Sequence, residues 1–183
     1  MNVHQSPLSG GATFPLQHRL FRLVWSVAWV LLARWTPPPL FFWRRSLACW
    51  FGAQLDPTAK IYSTVEIWDP RNLKMAKHSA LGPGVLCYSM AEVTLKEFAI
   101  VSQRAFLCGG SHDADDPAFP LVTRPIVLGA YSWIGAEAFV GPGVHVGEGA
   151  VLGARAVAAR DLDEWTIYVG NPAKAVRSRV RPI

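Results

Sequence analysis

An aliphatic residue recurs at every sixth position through the second half of the chain. From residue 128 the sequence divides into LGAYSW, IGAEAF, VGPGVH, VGEGAV and LGARAV, each with glycine in second place and a small or β-branched residue in fifth place. The same frame appears earlier in LKEFAI, VSQRAF and LCGGSH, which begin at Leu95, Val101 and Leu107, and a weaker set begins at Ile61, Ile67 and Leu73. The pattern predicts a repeated structural unit over residues 51–170.

A period of six residues matches neither regular secondary structure alone. An α-helix, with about 3.6 residues per turn, would spread these aliphatic side chains over its whole surface, and a simple strand repeats every two residues. A short strand followed by a corner fits, because the aliphatic side chain can point inward while the glycine leaves room at the bend. Three such sides close a coil of about 18 residues, and stacked coils bury a continuous aliphatic column. We therefore expect an all-β solenoid.

Residues 1–50 follow a different pattern. The segment LFRLVWSVAWVLLARWTPPPLFFW, residues 20–43, is the most apolar part of the chain, and the prolines at 37–39 end its predicted helix. Arg22 and Arg34 enclose an apolar run of 11 residues, whereas a membrane-spanning helix needs roughly 20. The segment is therefore predicted to be a helical apolar leader that does not span a membrane.

Two roles for this leader fit its residues. It can pack on the rest of the protein, or it can lie at a lipid–water boundary, where tryptophan beside arginine is typical. The second hypothesis predicts peripheral membrane contact through residues 20–45.

Composition and charge narrow the function classes. The chain has 183 residues, 51% of them hydrophobic, which fits one domain with a small appendage. The net charge of +5 and a pI near 9.4 favour anionic partners, although the scattered basic residues form no nucleic-acid-binding motif. Residues 171–183 are predicted to be a short basic tail. Three cysteines without a C-x-x-C pair favour a reducing, cytoplasmic location.

The six-residue frame is interrupted at LCGGSHDADDPAFPL. The unit ending at His112 is complete, and the frame resumes only at Leu128, so residues 113–127 are predicted to be a loop extruded from a solenoid corner. A histidine at the base of such a loop has a fixed position and can be shielded from water. Both features suit a general base. Asp113, or an aspartate further along the loop, is expected to orient the imidazole.

Five segments carry a resemblance to a known family: FGAQLDPTAKIYSTVEIWDPRNLKM (51–75), CGGSHDADDPAFPL (108–121), PIVLGAYSWIGAEAFVGPGVHVGEGAVLGARAVAARDL (125–162), GNPAKAVR (170–177) and the Trp/Pro-rich leader. In these residues the chain resembles the hexapeptide-repeat O-acetyltransferases, which are left-handed parallel β-helices, and within that group the colanic-acid and exopolysaccharide biosynthesis acetyltransferases. The match covers residues 18–177.

This resemblance implies a function and an assembly. It implies a homotrimer that transfers acetyl from acetyl-CoA to a saccharide hydroxyl in exopolysaccharide or capsule biosynthesis. The acetyl-CoA would lie between two neighbouring solenoids, and His112 would be the general base. No metal is implied. The expected location is the cytoplasm, with peripheral contact at the inner face of the membrane.

The resemblance also carries individual site residues over to this chain. Tyr88 and Ser89 stand where relatives have a Tyr-Asn pair beside the acceptor, so Ser89 is a departure from the family pattern. Ala159 is another departure, because Ala159 and Arg160 occupy the place of a Thr-Lys pair. The expected cofactor contacts are Trp133, Ala136, Ala154, Ala159, Arg160, Lys174 and Arg177.

Three alternatives remain open. A zinc enzyme of the γ-carbonic anhydrase type needs two histidines close in sequence, whereas His78, His112 and His145 are 34 and 33 residues apart. A non-catalytic solenoid acting as an assembly subunit would bind no acetyl-CoA. An N-acetyltransferase of a nucleotide sugar or amino acid would share the fold and differ only in its acceptor.

Overall fold

The computed structural model describes residues 13–181, so the first twelve residues of the predicted leader and the last two residues of the predicted tail lie outside the described residues. The described chain begins with two helices, α1 (Leu16–Leu32) and α2 (Phe41–Trp50). The three consecutive prolines lie between them, as the leader pattern predicts.

Short strands follow the helices in groups of three, and each group forms one coil. The first three coils consist of β1 (Gln54–Leu55), β2 (Lys60–Ile61), β3 (Glu66–Ile67), β4 (Leu73–Met75), β5 (Ala80–Leu81), β6 (Leu86–Tyr88), β7 (Val93–Leu95), β8 (Ile100–Val101) and β9 (Phe106–Cys108). A 3-10 turn, Pro70–Asn72, links the first coil to the second.

A hairpin interrupts the coils, and the stack then continues. The hairpin consists of β10 (Gly110–His112) and β11 (Leu121–Thr123). The later strands are β12 (Ile126–Leu128), β13 (Trp133–Ile134), β14 (Phe139–Val140), β15 (His145–Val146), β16 (Val151–Leu152), β17 (Val157–Ala158), β18 (Thr166–Val169) and β19 (Lys174–Ser178).

The coils stack into a triangular prism. Each of its three faces is a sheet in which the strands of successive coils run parallel. Face A has the strand order β1-β4-β7-β12-β15, face B has β2-β5-β8-β13-β16-β18 with β19 added at its end, and face C has β3-β6-β9-β14-β17. Trp133 pairs with Val151, which is the expected 18-residue step. Lys60 pairs with Ala80, a step of 20 residues. The longer first coils explain why the six-residue frame is weak in that part of the sequence.

The first and second places of each repeat unit have different structural tasks. The aliphatic first residues point into the prism and are fully buried: Leu128, Ile134, Val140, Val146 and Leu152. Stacking of the coils requires several of the glycines in second place. A Cβ atom on Gly135 would lie 2.6 Å from the main-chain nitrogen of Ala154 in the next coil, and one on Gly129 would lie 2.7 Å from that of Glu148. These distances are too short for any side chain.

The corners between faces A and B and between faces B and C carry ladders of side chains. His78, Phe98 and Tyr131 occupy equivalent positions on the A–B corner with φ of 55–58°, and their rings stack at centroid distances of 5.0 and 4.9 Å. On the B–C corner, Glu137 forms ion pairs with Arg104 and Arg155. At these corner positions, side-chain contacts between coils occur together with a left-handed backbone conformation that is otherwise unfavourable for such residues.

The two helices close the first end of the prism. In each coil a set of main-chain carbonyls points toward the preceding coil, as shown by Val85, whose carbonyl accepts from the Glu66 N–H. The first coil has no preceding coil, and side chains of the leader replace it. The Trp29 indole donates to the Val65 carbonyl at 2.9 Å, and the Trp25 indole donates to the Ile67 carbonyl at 2.7 Å. These bonds protect an open sheet edge and satisfy its carbonyls.

A buried arginine on α2 completes this cap. The Arg44 guanidinium is fully buried and donates to the carbonyl of Ile61 at 2.6 Å and to the hydroxyl of Thr36 at 2.8 Å. The leader thus packs on the solenoid, as the first of the two hypotheses expects. Within residues 13–181, no helix is long and apolar enough to cross a membrane.

The far end of the prism is closed by a returning strand. The segment predicted as a basic tail contains β19, which pairs antiparallel with β18, while β18 pairs parallel with β16. Arg179 follows this strand and donates to the carbonyls of Tyr131 and Gly149. Much of the predicted tail is therefore part of face B.

Trp29→Phe is expected to lower the free energy of unfolding by about 2 kcal/mol or more, because it leaves the buried Val65 carbonyl without a donor and removes part of a buried ring. Trp35→Phe is the matched control, since its indole is exposed and donates to Leu31 within the leader. Its expected effect is within about 0.5 kcal/mol. Urea unfolding at one fixed protein concentration measures both. Equal effects of the two substitutions would contradict the capping role.

Candidate active site

His112 lies on a hairpin that projects from the corner between faces C and A. The hairpin leaves the third coil after β9 and returns to the fourth coil at β12. Its register pairs Gly110 with Thr123 and His112 with Leu121. The interruption therefore begins at residue 110, slightly before the predicted loop 113–127, and His112 stands on the projecting ribbon and not on the coil itself.

The His112 imidazole is oriented by a main-chain carbonyl. Its Nδ1 lies 2.9 Å from the Phe119 carbonyl oxygen. A carbonyl can only accept a hydrogen bond, so Nδ1 carries the proton and Nε2 carries the lone pair. Within the described chain no hydrogen-bond partner occupies Nε2. The ring is exposed, so this arrangement presents a proton acceptor on the outside of the hairpin.

The expectation that Asp113 orients this imidazole is corrected by the structure. Oδ1 of Asp113 accepts from the Asp115 N–H at 3.1 Å, and the Asp113 N–H donates to the Pro120 carbonyl at 3.0 Å. These short-range bonds shape the hairpin tip and turn the carboxylate toward its own backbone. Phe119 has the orienting role instead.

Phe119 also supports the ring directly. The two rings are stacked with a centroid distance of 4.5 Å and an angle of 5° between their planes. Phe119 has φ of 47°, a left-handed conformation that is rare for a bulky residue, and its N–H donates to the Asp116 carbonyl at 2.8 Å. Phe119 has a strained backbone and contacts the candidate base through both its carbonyl and its ring, and such strain is typical of functional sites. The sequence shows only a phenylalanine between an alanine and a proline.

A depression of about 380 Å³ lies beside His112. Asp113 and Arg124 contribute charged groups to its lining, and Pro142 contributes from the next coil. Arg124 is absent from the site residues expected from the sequence. It directly precedes Pro125, just before the frame resumes at Leu128, and this is the only sequence signal of its position.

The two residues predicted to contact the acceptor have different surroundings. Tyr88 is half-buried and lines a second cleft, of about 470 Å³, between α1 and face C, where Trp68 and Phe106 lie on either side of it. Ser89 is fully buried, and its hydroxyl both accepts from the N–H of Asp69 and donates to the Asp69 carbonyl. The Ser89 side chain thus links two coils, and Tyr88 is the member of the pair with an accessible surface.

Three of the predicted cofactor residues lie together. Trp133 is half exposed on face B, and its indole donates to the Ser102 hydroxyl at 2.8 Å. Ala136 and Ala154 follow on successive coils of the B–C corner, and the Ala136 carbonyl accepts from the N–H of Arg155. Their small side chains leave the backbone of this corner open to a close approach.

The remaining predicted cofactor residues lie elsewhere on the protomer. Ala159 and Arg160 are exposed on the C–A corner, the same corner that carries the His112 hairpin, two coils further along. Lys174 and Arg177 are exposed on β19 at the edge of face B. Face C therefore separates His112 from the group formed by Trp133, Ala136 and Ala154.

The cysteine nearest to His112 has the properties of an unreactive thiol. Burial raises the pKa of the Cys108 thiol, and this effect exceeds that of the hydrogen bond to the Gly110 carbonyl. Burial also raises the pKa of Cys87 to about 12. Both thiols are protonated at neutral pH. Over residues 13–181, no group of three or more histidine, cysteine or carboxylate side chains could hold a metal ion.

Solved structures share this architecture. A maltose O-acetyltransferase from Clostridium difficile superposes with a TM-score of 0.81 at 16% identity, over 98% of this chain and all of that chain. A hexapeptide-repeat acetyltransferase from Vibrio cholerae, complexed with acetyl coenzyme A, superposes with a TM-score of 0.80 at 18% identity, over 93% of each chain. The predicted fold class, a left-handed parallel β-helix, is confirmed.

Sequence comparison identifies the family. No family model matches the chain. The colanic acid biosynthesis acetyltransferase WcaF of Escherichia coli is 35% identical over 159 residues, which is 87% of this chain and 87% of that protein. The protein of the same name from Shigella flexneri matches equally. At this identity and coverage, the chain belongs to the colanic acid biosynthesis acetyltransferases, a family of hexapeptide-repeat enzymes.

Proposed function

We propose that this protein is an acetyl-CoA-dependent O-acetyltransferase that modifies a saccharide hydroxyl in exopolysaccharide or capsule biosynthesis. The observation that carries the proposal is the His112 imidazole, whose protonated Nδ1 donates to Phe119 while Nε2 faces outward. The name of the WcaF relatives supports the acceptor class, and the acetyl coenzyme A in the Vibrio cholerae structure supports the donor.

His112 acts as the general base in direct acetyl transfer. Its Nε2 takes the proton of the acceptor hydroxyl as the hydroxyl oxygen attacks the thioester carbonyl. The new C–O bond forms, the C–S bond breaks, and the imidazolium returns the proton to the departing CoA thiolate. The products are the acetyl ester and CoA, with a neutral histidine. Positioning of both substrates supplies much of the remaining acceleration.

A homotrimer is part of this proposal. Face A carries charged and polar side chains, including the ion pair between Lys74 and Glu92. Faces B and C instead expose large apolar residues, represented by Ile100 and Trp133 on face B and Leu86 on face C. Burial of the apolar side chains of face B fits a cyclic assembly in which the C–A corner of one copy approaches the B–C corner of the next.

Such an assembly would bring the separated parts of the site together. The His112 hairpin of one copy would face the B–C corner of its neighbour, where Trp133, Ala136 and Ala154 would contact the pantetheine arm. Ala159 and Arg160 would lie toward the adenosine end. Lys174 and Arg177, exposed on β19, would meet the nucleotide phosphates.

The acceptor is proposed to bind along face C toward Tyr88. Trp68, Tyr88 and Phe106 offer flat apolar surfaces in the cleft beside α1, and Arg22 gives the same cleft a positive charge. We place the protein in the cytoplasm, with peripheral contact between residues 20–45 and the inner face of the membrane.

His112→Ala is expected to reduce turnover by a factor of about 100 or more, which is the usual contribution of a general base, while the affinity for CoA stays within a few-fold. Acetyl transfer to a soluble saccharide and calorimetric titration with CoA measure the two quantities. His145→Ala, which changes an exposed histidine on face A, is the control with near wild-type activity. A His112→Ala variant that retains wild-type turnover would remove His112 from the mechanism.

Mixing two inactive variants tests the shared site. His112→Ala removes the base, and Ala154→Trp fills the exposed corner where the cofactor is proposed to bind. Co-expression of the two is expected to restore about a quarter of wild-type activity, because random assortment pairs an intact hairpin with an intact corner at that frequency. If each site lies within one protomer, the mixture stays inactive.

Cys108 is expected to be dispensable. Its raised thiol pKa leaves little thiolate at neutral pH, and the fraction rises only as the pH increases toward that pKa. Alkylation of Cys108 by iodoacetamide, followed by mass spectrometry, should therefore be slow at neutral pH and faster at alkaline pH. Cys108→Ser should retain turnover within a few-fold. Complete loss of turnover in a folded Cys108→Ser protein would point to an acyl-enzyme route.

A further inference from the structure

The end of the prism formed by the leader has an outer surface that the fold does not use. Trp25 and Trp29 turn inward to cap the first coil. On the opposite side of α1, Leu16, Leu23 and Leu31 are 60–64% exposed. A large exposed apolar helix face normally marks a site of contact with a partner or with lipid. We call this outer surface of α1 and α2 the leader surface.

The leader surface is the main concentration of exposed apolar side chains on the described chain. Of the twenty large hydrophobic residues that are exposed between residues 13 and 181, eleven lie on α1, on α2 or in the turn between them. They are Leu16, Leu20, Leu23, Val24, Val27, Val30, Leu31, Leu32, Trp35, Phe42 and Trp50. Trp35 and Trp50 are each more than 70% exposed, and exposed tryptophan is typical of protein segments at the lipid headgroup level.

The positive charge of the leader favours binding to an anionic partner. The first acidic residue of the chain is Asp56, whereas five arginines precede it. The Arg44 guanidinium is engaged in the hydrogen bonds of the cap. Arg19 and Arg34 are exposed on the leader and form no ion pair within the described residues. Apolar area together with basic residues and no acidic residue matches an anionic bilayer surface. Two copies of this surface would instead bring like charges together.

From these observations we infer that the leader surface docks end-on to an anionic lipid bilayer, with the prism axis perpendicular to the membrane. The first-coil carbonyls point along the prism axis, and the helices that cap them therefore lie across its end. In a cyclic trimer of side-by-side prisms all three such ends face the same way. Three copies of the leader surface would then contact one membrane together, which strengthens binding beyond that of one copy.

This orientation sets the distance of the reaction from the bilayer, a consequence that rests on the proposed function. The hairpin that carries His112 leaves the third coil after β9. Two coil steps of about 4.8 Å and one helix layer of about 10 Å place it about 20 Å from the leader surface. The acceptor class is therefore a lipid-anchored saccharide in which the reacting hydroxyl lies several sugars out from the membrane.

Flotation with vesicles tests the docking directly. The full chain is expected to float with phosphatidylcholine vesicles that contain phosphatidylglycerol, to float less at high salt, and to float weakly with phosphatidylcholine alone. The double variant Leu23→Glu/Val27→Glu is expected to lose anionic-vesicle binding at least about tenfold, since both side chains are exposed and face the bilayer. The matched control is Val180→Glu, at an exposed residue that follows β19, which is expected to float like wild type.

Further readouts separate the possible failures. Acetylation of a soluble saccharide should be equal in all these variants, so loss of flotation with retained turnover supports docking independently of the reaction. Quenching of tryptophan fluorescence by brominated lipids should decrease in Trp35→Phe/Trp50→Phe and be unchanged in Trp165→Phe, which lies in the coil after β17. The inference is overturned if wild type does not float with anionic vesicles or if the control variant loses flotation equally. It is also overturned if the leader substitutions halve the mass of the assembly measured by sedimentation, because the leader surface would then pair with a second copy of itself.

Discussion

The hydrogen-bond ladder between coils is the constraint on which the rest of the structure depends. Main-chain N–H groups and carbonyls of each coil form hydrogen bonds with the coils before and after it. The distance between coils that these hydrogen bonds impose brings Gly135 so close to the Ala154 main chain that no side chain fits between them. It also aligns the aliphatic side chains into one dry column, whose regularity gives the sequence its six-residue period.

A ladder of this kind has two ends, and the protein closes them differently. The last face gains an antiparallel strand, β19, which satisfies the ladder with main-chain groups. At the first end, the indoles of Trp25 and Trp29 and the guanidinium of Arg44 donate to the carbonyls of the first coil. Trp25 and Trp29 therefore stabilise the solenoid, and the apolar surface on the opposite side of α1 stays exposed.

Rigidity of the coils also explains the candidate active site. The corner between faces C and A is held on both sides by stacked strands, so a hairpin inserted there has a fixed base. Its tip is shaped by short-range bonds of Asp113 and Asp116. These bonds place the carbonyl of Phe119 where it selects one tautomer of His112. The groups proposed to hold the acyl donor lie beyond face C, so the chemistry and the assembly depend on each other.

The sequence by itself determined the repeat, the parallel coils, the position of the interruption and the candidate base. These properties follow from local patterns: the period of six reports an inward side chain and a corner, and a break in the period locates the hairpin to within a few residues. Resemblance to the family added the reaction class and candidate cofactor positions, such as Trp133 and Ala154.

Only the tertiary structure decided which groups meet. Phe119 instead of Asp113 orients His112, Ser89 is enclosed between coils, and Trp25 and Trp29 face the first coil while Leu23 and Val27 face outward. The sequence could not show these outcomes. Each depends on the direction of a main-chain carbonyl or on contact between residues that are far apart along the chain, and neither property leaves a periodic signal in the order of amino acids.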